Sequence, residues 1–160
     1  MAFDAFLKIA EIPGESLDNQ FKGQIEIMAF SFGASMPANV TQSGLGAGKV
    51  QLSDFTISKG VDKASAKFFA ATCVGTHLQS VVFSKRKAGG GTTGGYVYLT
   101  FTLTDALVTS LHISGSGDTA TESVSFAFSK IAVEYFQQQA SGSVGSTGSQ
   151  SWSVVTNSNA

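Results

Sequence analysis

Hydrophobic residues along this chain recur at every second position in a series of runs, the spacing of strands with one buried face. In the stretch ESVSFAFSKIAVEYF, Glu122 to Phe136, the apolar side falls on even positions at Val124, Phe126 and Phe128, with Ser123, Ser125 and Ser129 between them. After Lys130 it moves to odd positions, Ile131, Val133 and Tyr135. A one-residue slip sends every side chain to the other face, so a β-bulge is expected near Ser129 and Lys130. A typical strand has about 5 to 6 residues; this one is long enough to cross a small domain and leave an end free. The same slip recurs in Gln24 to Ser35, between Ile25/Ile27 and Met28/Phe30/Phe32, and in Val50 to Ser58, where it falls at Ser53-Asp54. Three slipped strands predict a strongly curved sheet.

The remaining pattern fills in the architecture. Ala2 to Ile12 predicts a first strand ended by the turn signal Pro13-Gly14, followed by a polar connection from Glu15 to Lys22. Asp62 to Leu78 predicts a helix, with Asp62 as N-cap and Val61, Ala64, Phe68, Ala71 and Leu78 near one face. Gln79 to Lys87, Tyr96 to Thr104 and Ala106 to Ile113 predict three more strands, the last two joined by a tight hairpin at Asp105. The Ser/Gly-rich stretch from Ala140 to Gln150 suggests a flexible connection, and a lone Trp152 after it suggests a docked strand. The expected fold is all-β with one helix: a small closed β-barrel with bulged strands and the helix packed on it. Residues 1–139 form the barrel, and 140–160 form a C-terminal segment of the same domain, docked through Trp152.

Composition narrows the function. With 160 residues, 13 Phe and 42% hydrophobic content, one domain can bury a real core. Ten basic against 11 acidic side chains give a net charge of -1, which removes the electrostatic footprint of a nucleic-acid or anionic-membrane binder. Charged residues make up 13%, about half the ~25% of ordinary soluble domains. A surface that is polar but uncharged suits a protein covered by copies of itself, and equally a secreted or adhesive module. Cys73 is the only cysteine, so no internal disulfide holds the fold. The N-terminus lacks the basic and apolar regions of a cleavable signal peptide, and no stretch approaches the ~18 apolar residues of a membrane span.

Candidate chemistry is sparse. SGLGAGKV, Ser43 to Val50, resembles a phosphate-binding loop, but Ser43 stands where that motif needs Gly and Val50 where it needs Ser or Thr, and a strand follows instead of a helix. A flexible inter-strand loop is the expectation, and likewise a mobile hairpin tip for AGGGTTGG, Ala88 to Gly95. Lys85-Arg86-Lys87 is the only basic run, read as a solvated rim that an acidic partner could meet. His77 and His112 have no neighbours at metal-ligand spacing, and Cys73, without a CxxC partner, is expected to be a small buried residue. Asp54, Asp62, Asp105, Asp118 and Glu122 are scattered at strand ends and turns, so no nucleophile, base and orienter can be named. No cofactor is expected.

The order and spacing of AFLKIAEIPGES, GQIEIMAFSFG, VQLSDFTISKGVDKASAKFFAA, ESVSFAFSKIAVEY and the closing Trp152 segment closely resemble the haemolysin-coregulated proteins, the Hcp family of bacterial type VI secretion systems. The resemblance runs nearly end to end. It implies a non-enzymatic tube subunit: homohexameric rings stacked head to tail, ejected by a contractile sheath behind a spike protein, with small effectors carried in the lumen. It further implies cytoplasmic synthesis and export through that system. It also implies that the extended loop at this place in the strand order, Ser43, Gly44, Leu45, Gly46, Ala47, Gly48 and Lys49, reaches a neighbouring ring. Two alternatives compete with this reading: a contractile-phage tail tube protein, and a ligand-binding β-barrel or glycosidase-like enzyme with two convergent carboxylates.

Overall fold

The structure is a computed structural model and describes residues 4–88 and 95–160. The hairpin tip expected at Ala88 to Gly95 lies almost wholly outside the described residues. In chain order the elements are β1 (Ala5–Ile9), β2 (Ile25–Glu26), β3 (Ala29–Ser31), β4 (Ala34–Ser35), β5 (Ala38–Thr41), β6 (Gly44–Ala47), β7 (Gln51–Leu52), β8 (Phe55–Gly60), α1 (Ser65–Val74), β9 (Leu78–Lys87), β10 (Tyr96–Ser116), β11 (Thr119–Gln138), β12 (Val144–Ser153) and β13 (Ser158–Asn159). Nine strands make the main sheet, in the order β13-β12-β11-β10-β9-β1-β2, with β8 added to β11 and β3 to β8. The all-β fold with one helix is as expected.

Closure differs from the expected barrel. The hydrogen-bonded ladder is a path with ends, because the segment from Ile25 to Ser31 changes partner halfway along. β2 pairs with β1 and β3 pairs with β8. At the changeover the Ile27 N–H donates to Ala5 O (2.9 Å) and the Met28 N–H to Ser58 O (2.8 Å). The phase slip in this segment is thus a change of neighbour. The slip at Ser53-Asp54 is likewise the break between β7 and β8.

The slip in β11 has the same origin, with no bulge at Ser129-Lys130. The buried side passes from Val124 and Phe126 to Ile131, while β11 stays in one register with β10 from Thr104↔Lys130 to Ala106↔Phe128. On its other edge β11 pairs with β8 as far as Phe126 and with β12 from Lys130. The irregular geometry sits on the partner strand: Asp105 has φ 50, and an extra residue, Thr109, shifts the register between Val108 and Ser110. Asp105 therefore kinks one continuous β10 and does not turn a hairpin. The hairpin is at Gly117-Asp118, where Gly117 takes φ 64 and Ser116 faces Thr119.

Phenylalanines fill the interior. Phe55 lies 5.2 Å from Phe101 and 5.5 Å from Phe83 between ring centroids, and Phe30 lies 4.5 Å from Phe83, in the tilted geometries aromatic rings prefer. The helix closes onto this core through Ala64, Phe68 and Ala71, with Phe68 edge-on to Phe126. It is shorter than the pattern suggested. It starts at Ser65, while the Asp62 carboxylate accepts from the Ala64 N–H (2.8 Å), and it ends at Gly75 in a left-handed cap of φ 72. Leu78 belongs to β9.

Two segments read as polar or flexible are built in. Phe21, within the connection after β1, stacks on Phe6 at 4.3 Å on the outer face of β1, away from the main core. The Ser/Gly stretch forms β12, paired with β11 from Gln138↔Val144 to Lys130↔Ser153. Backbone bonds alone suffice for this, since the ladder does not require large side chains. Trp152 stands opposite Ile131 and packs against the core.

Candidate functional site

The chain between β4 and β7 is an ordered arm, not a flexible loop. Among the described residues its strands β5 and β6 pair only with each other, Ala38↔Ala47 through Thr41↔Gly44, around a turn at Gln42 and Ser43. Gly44 holds φ 124, a conformation L side chains rarely adopt, and the Gly48 N–H closes the base on Pro37 O at 2.8 Å. Of the residues expected to form a stacking loop, Gly44, Leu45, Gly46 and Ala47 are β6, Ser43 is in the turn, and Gly48 and Lys49 form the foot. Val40 stands directly opposite Leu45, and the two are 82% and 77% exposed. From Met36 to Gly48 the arm carries no charge. A two-stranded ribbon has little stability alone, and this one holds an exposed aliphatic pair at its centre.

The helix α1 packs across the β10–β11 hairpin, against β10 and with Phe68 on Phe126 of β11. The arm leaves beside the edge of β11 that carries β8 and β12, whereas β10 carries β9 and packs against the helix. Between α1 and the end of β1 is a cleft of about 180 Å³ with Ile12, Ala70, Ala71, Val74 and Leu78 as its apolar lining and Glu11, Lys67 and Thr76 as its polar lining. The outward side of the helix is apolar too, with Phe69 and Val74 exposed. Lys67 is the one charged residue among the exposed positions of α1. Cys73 is exposed on α1, contrary to the buried position expected of it.

The helix is anchored by a buried polar network that composition and periodicity did not reveal. The Lys59 ammonium, fully buried, donates to Glu122 Oε1 (2.5 Å), Asp62 Oδ1 (2.8 Å) and Gly60 O (2.8 Å). Ser65, the first helical residue, donates to the same Glu122 oxygen at 2.9 Å. The even-numbered phase of β11 was the available signal, because it puts Glu122 on the same buried face as Val124 and Phe126.

The basic run does not form a solvated rim. Arg86 is buried, with its guanidinium on Asp18 (2.8 Å) and near Asp4 (3.6 Å), and lies over the Phe6 and Phe21 rings at 5.4 and 5.5 Å. The hydrogen bond from Arg86 holds the Asp18 carboxyl below the usual carboxylate range. Lys85 is half-buried, and Lys87 is exposed with its ammonium 4.8 Å from the Tyr98 ring. Strand alternation explains the split, since Phe6 faces Ser84 and Arg86 shares that side.

The scattered carboxylates are engaged structurally. Asp105 contacts His77 Nδ1 at 2.6 Å and accepts from Ser129 Oγ at 2.9 Å, which lowers its pKa, chiefly through His77. This is not an activated nucleophile: the acceptor of the Ser129 proton is a carboxylate whose proton affinity is lowered, a weaker base than the imidazole such sets use. Thr109 Oγ1 donates to Asp54 at 2.6 Å, and Asp62 and Glu122 share Lys59. Among the described residues no three His, Cys, Asp or Glu side chains cluster to hold a metal, and no helix is long and apolar enough to cross a membrane.

Comparison with known proteins matches residues 6–135 to the family model described as "Type VI secretion system effector, Hcp". Protein hcp1 of Pseudomonas aeruginosa is 35% identical over 145 residues, covering 89% of this chain and 88% of that protein. A solved type six secretion system protein superposes with a TM-score of 0.89 at 27% identity, over 99% of this chain and 100% of its own. Hcp1 from Salmonella typhimurium gives 0.80 at 27% identity, with both chains fully covered.

Proposed function

Since the chain belongs to the Hcp family of type VI secretion systems and is a tube protein of that kind, we propose that it acts by assembly alone, as homohexameric rings stacked into the inner tube and without chemistry of its own. The sheath drives the tube out, a spike protein sits at its tip, and small effectors travel in its lumen. Export by this route needs no cleavable signal peptide. Residues 140–160 belong to the same folding unit as the rest. The arm carries the proposal: an uncharged hairpin, attached to no other strand and centred on the exposed Val40–Leu45 pair, has no use within one subunit. Open strand edges add to it. Among the described residues, 107–116 of β10 are paired on one side only, by β11, and such an edge is a template for pairing with another chain. Lys85 and Lys87 remain available to an acidic partner surface, whereas Arg86 does not.

The arm meets the neighbouring ring. Burying one leucine is worth about 1.5 to 3 kcal/mol, and the contact repeats around each ring, so weak unit contacts sum through multivalency. Leu45→Asp leaves the ring intact by size-exclusion chromatography while shortening tubes in electron micrographs and reducing secretion. Unchanged tubes and secretion would refute the stacking role, and loss of the ring would move the arm to the subunit interface. A phage-tail setting shares these mechanics, and the family match favours type VI secretion.

A further inference from the structure

We infer that the cleft between α1 and the end of β1 is the receptor for the arm of another copy of this chain, an inference that rests on the stacking role of the arm. The two surfaces are chemically matched. The arm offers an aliphatic pair with no charge between Met36 and Gly48, and the cleft offers an apolar floor of Ile12, Ala71 and Leu78 with Val74, 78% exposed, at its lip. Its volume of about 180 Å³ has room for an aliphatic pair of this kind. The polar lining is balanced in sign, one Glu11 and one Lys67, and with Thr76 it supplies donors and acceptors for the free backbone edges of β5 and β6.

The placement also fits a second copy. The arm's foot and the cleft lie beside different strands: Lys49 and Val50 line a pocket with Ala127 of β11 and Trp152 of β12, whereas the cleft is bounded by Ile12, α1 and Leu78 of β9. A projection that enters the recess of a second copy while its own recess takes the arm of a third makes a heterologous pair of surfaces, whereas two copies that exchange arms close as a dimer. Heterologous pairs join copies head to tail into rings or open stacks. Val74 gains cover that it lacks within one subunit.

Cysteine crosslinking tests this in the full chain, with Cys73→Ser removing the exposed native thiol. Leu45→Cys and Val74→Cys chains, mixed and mildly oxidised, give a disulfide-linked heterodimer at least about tenfold above a control mixture of Leu45→Cys with Leu17→Cys, because docking raises the effective thiol concentration. Leu17 is exposed on the loop that follows β1. A chain carrying both cysteines gives a ladder of covalent oligomers. Crosslinking no better than the control, or dimers formed by Leu45→Cys alone, overturns the inference. A second arm separates it from its premise: Val74→Asp shortens tubes as Leu45→Asp does. If Leu45→Asp shortens tubes and Val74→Asp does not, the arm stacks elsewhere and the cleft is not its receptor; if neither does, the stacking role itself falls.

Discussion

Replacing Glu122 by leucine removes the carboxylate closest to Lys59. The ammonium is fully buried and spends its donors on Glu122, Asp62 and Gly60 O. Stripping one partner from a buried ion pair costs about 3–5 kcal/mol. Asp62 stays as a countercharge 2.8 Å away, and Glu122 Oε2, buried without a hydrogen-bond partner, is no longer desolvated, a relief of about 1–3 kcal/mol. The net cost of Glu122→Leu is therefore about 2 kcal/mol, a fall in Tm of roughly 4–8 °C for a chain of this size. Lys59→Met is worse, at about 4 kcal/mol, because Glu122 then keeps only the Ser65 hydroxyl. The double variant Lys59→Met/Glu122→Leu returns to within about 1 kcal/mol of the parent, since an apolar pair of similar volume suffers no desolvation of charge. Urea unfolding followed by the fluorescence of Trp152, the sole tryptophan, and by far-UV circular dichroism measures all four corners of the cycle. Protein concentration is held fixed because assembly adds stability. Single variants within about 0.5 kcal/mol of the parent, a magnitude typical of plain surface changes, or a double variant as unstable as the worse single, would refute the reasoning.

Two further outcomes are expected. Gly14→Ala costs about 3 kcal/mol or more, because its Cβ would sit 2.2 Å from Gln24 O and 2.4 Å from Ile25 N, backbone atoms fixed by β2; a thermal melt with little loss of Tm would contradict it. Asp18→Asn flattens the acid limb of stability: the folded-state pKa of Asp18 lies below its ordinary 3.8, so its contribution is present above about pH 4 and is lost as pH falls through the folded value. The gap in Tm between parent and variant should narrow on acidification, and a gap that widens would show that Arg86 is not the cause.

The strands announced themselves where side chains alternate between core and solvent, as in Val124, Phe126 and Ile131. The positions of all three phase slips were readable too. Their cause was not, because a bulge and a change of neighbouring strand leave the same mark on the alternation. Asp105 was readable as a break in pattern, but whether a break kinks a strand or turns it back depends on partners distant in sequence, here Ser129 and His77. Arg86 looked like surface because its partners, Asp4, Asp18, Phe6 and Phe21, come from other segments. In the arm, the Gly-rich composition concealed a hairpin held by backbone bonds, and only Leu45 stood out as an apolar residue within it. The cleft left no trace in sequence, being assembled from β1, α1 and β9.

The C-terminal strand illustrates how differently parts of one fold are encoded. β12 is written almost wholly in serine, glycine, threonine and glutamine, and it holds its place through main-chain bonds to β11 and one anchoring indole. The family match ends at residue 135, just before this region, while the superposed structures continue through it. Geometry here is specified by the neighbour and scarcely by the segment's own letters, so the alphabet between Val144 and Ser151 is free to be rewritten. That makes this strand, rather than the Phe-packed interior, the natural place for related tubes to differ and for an engineered tube to carry a label.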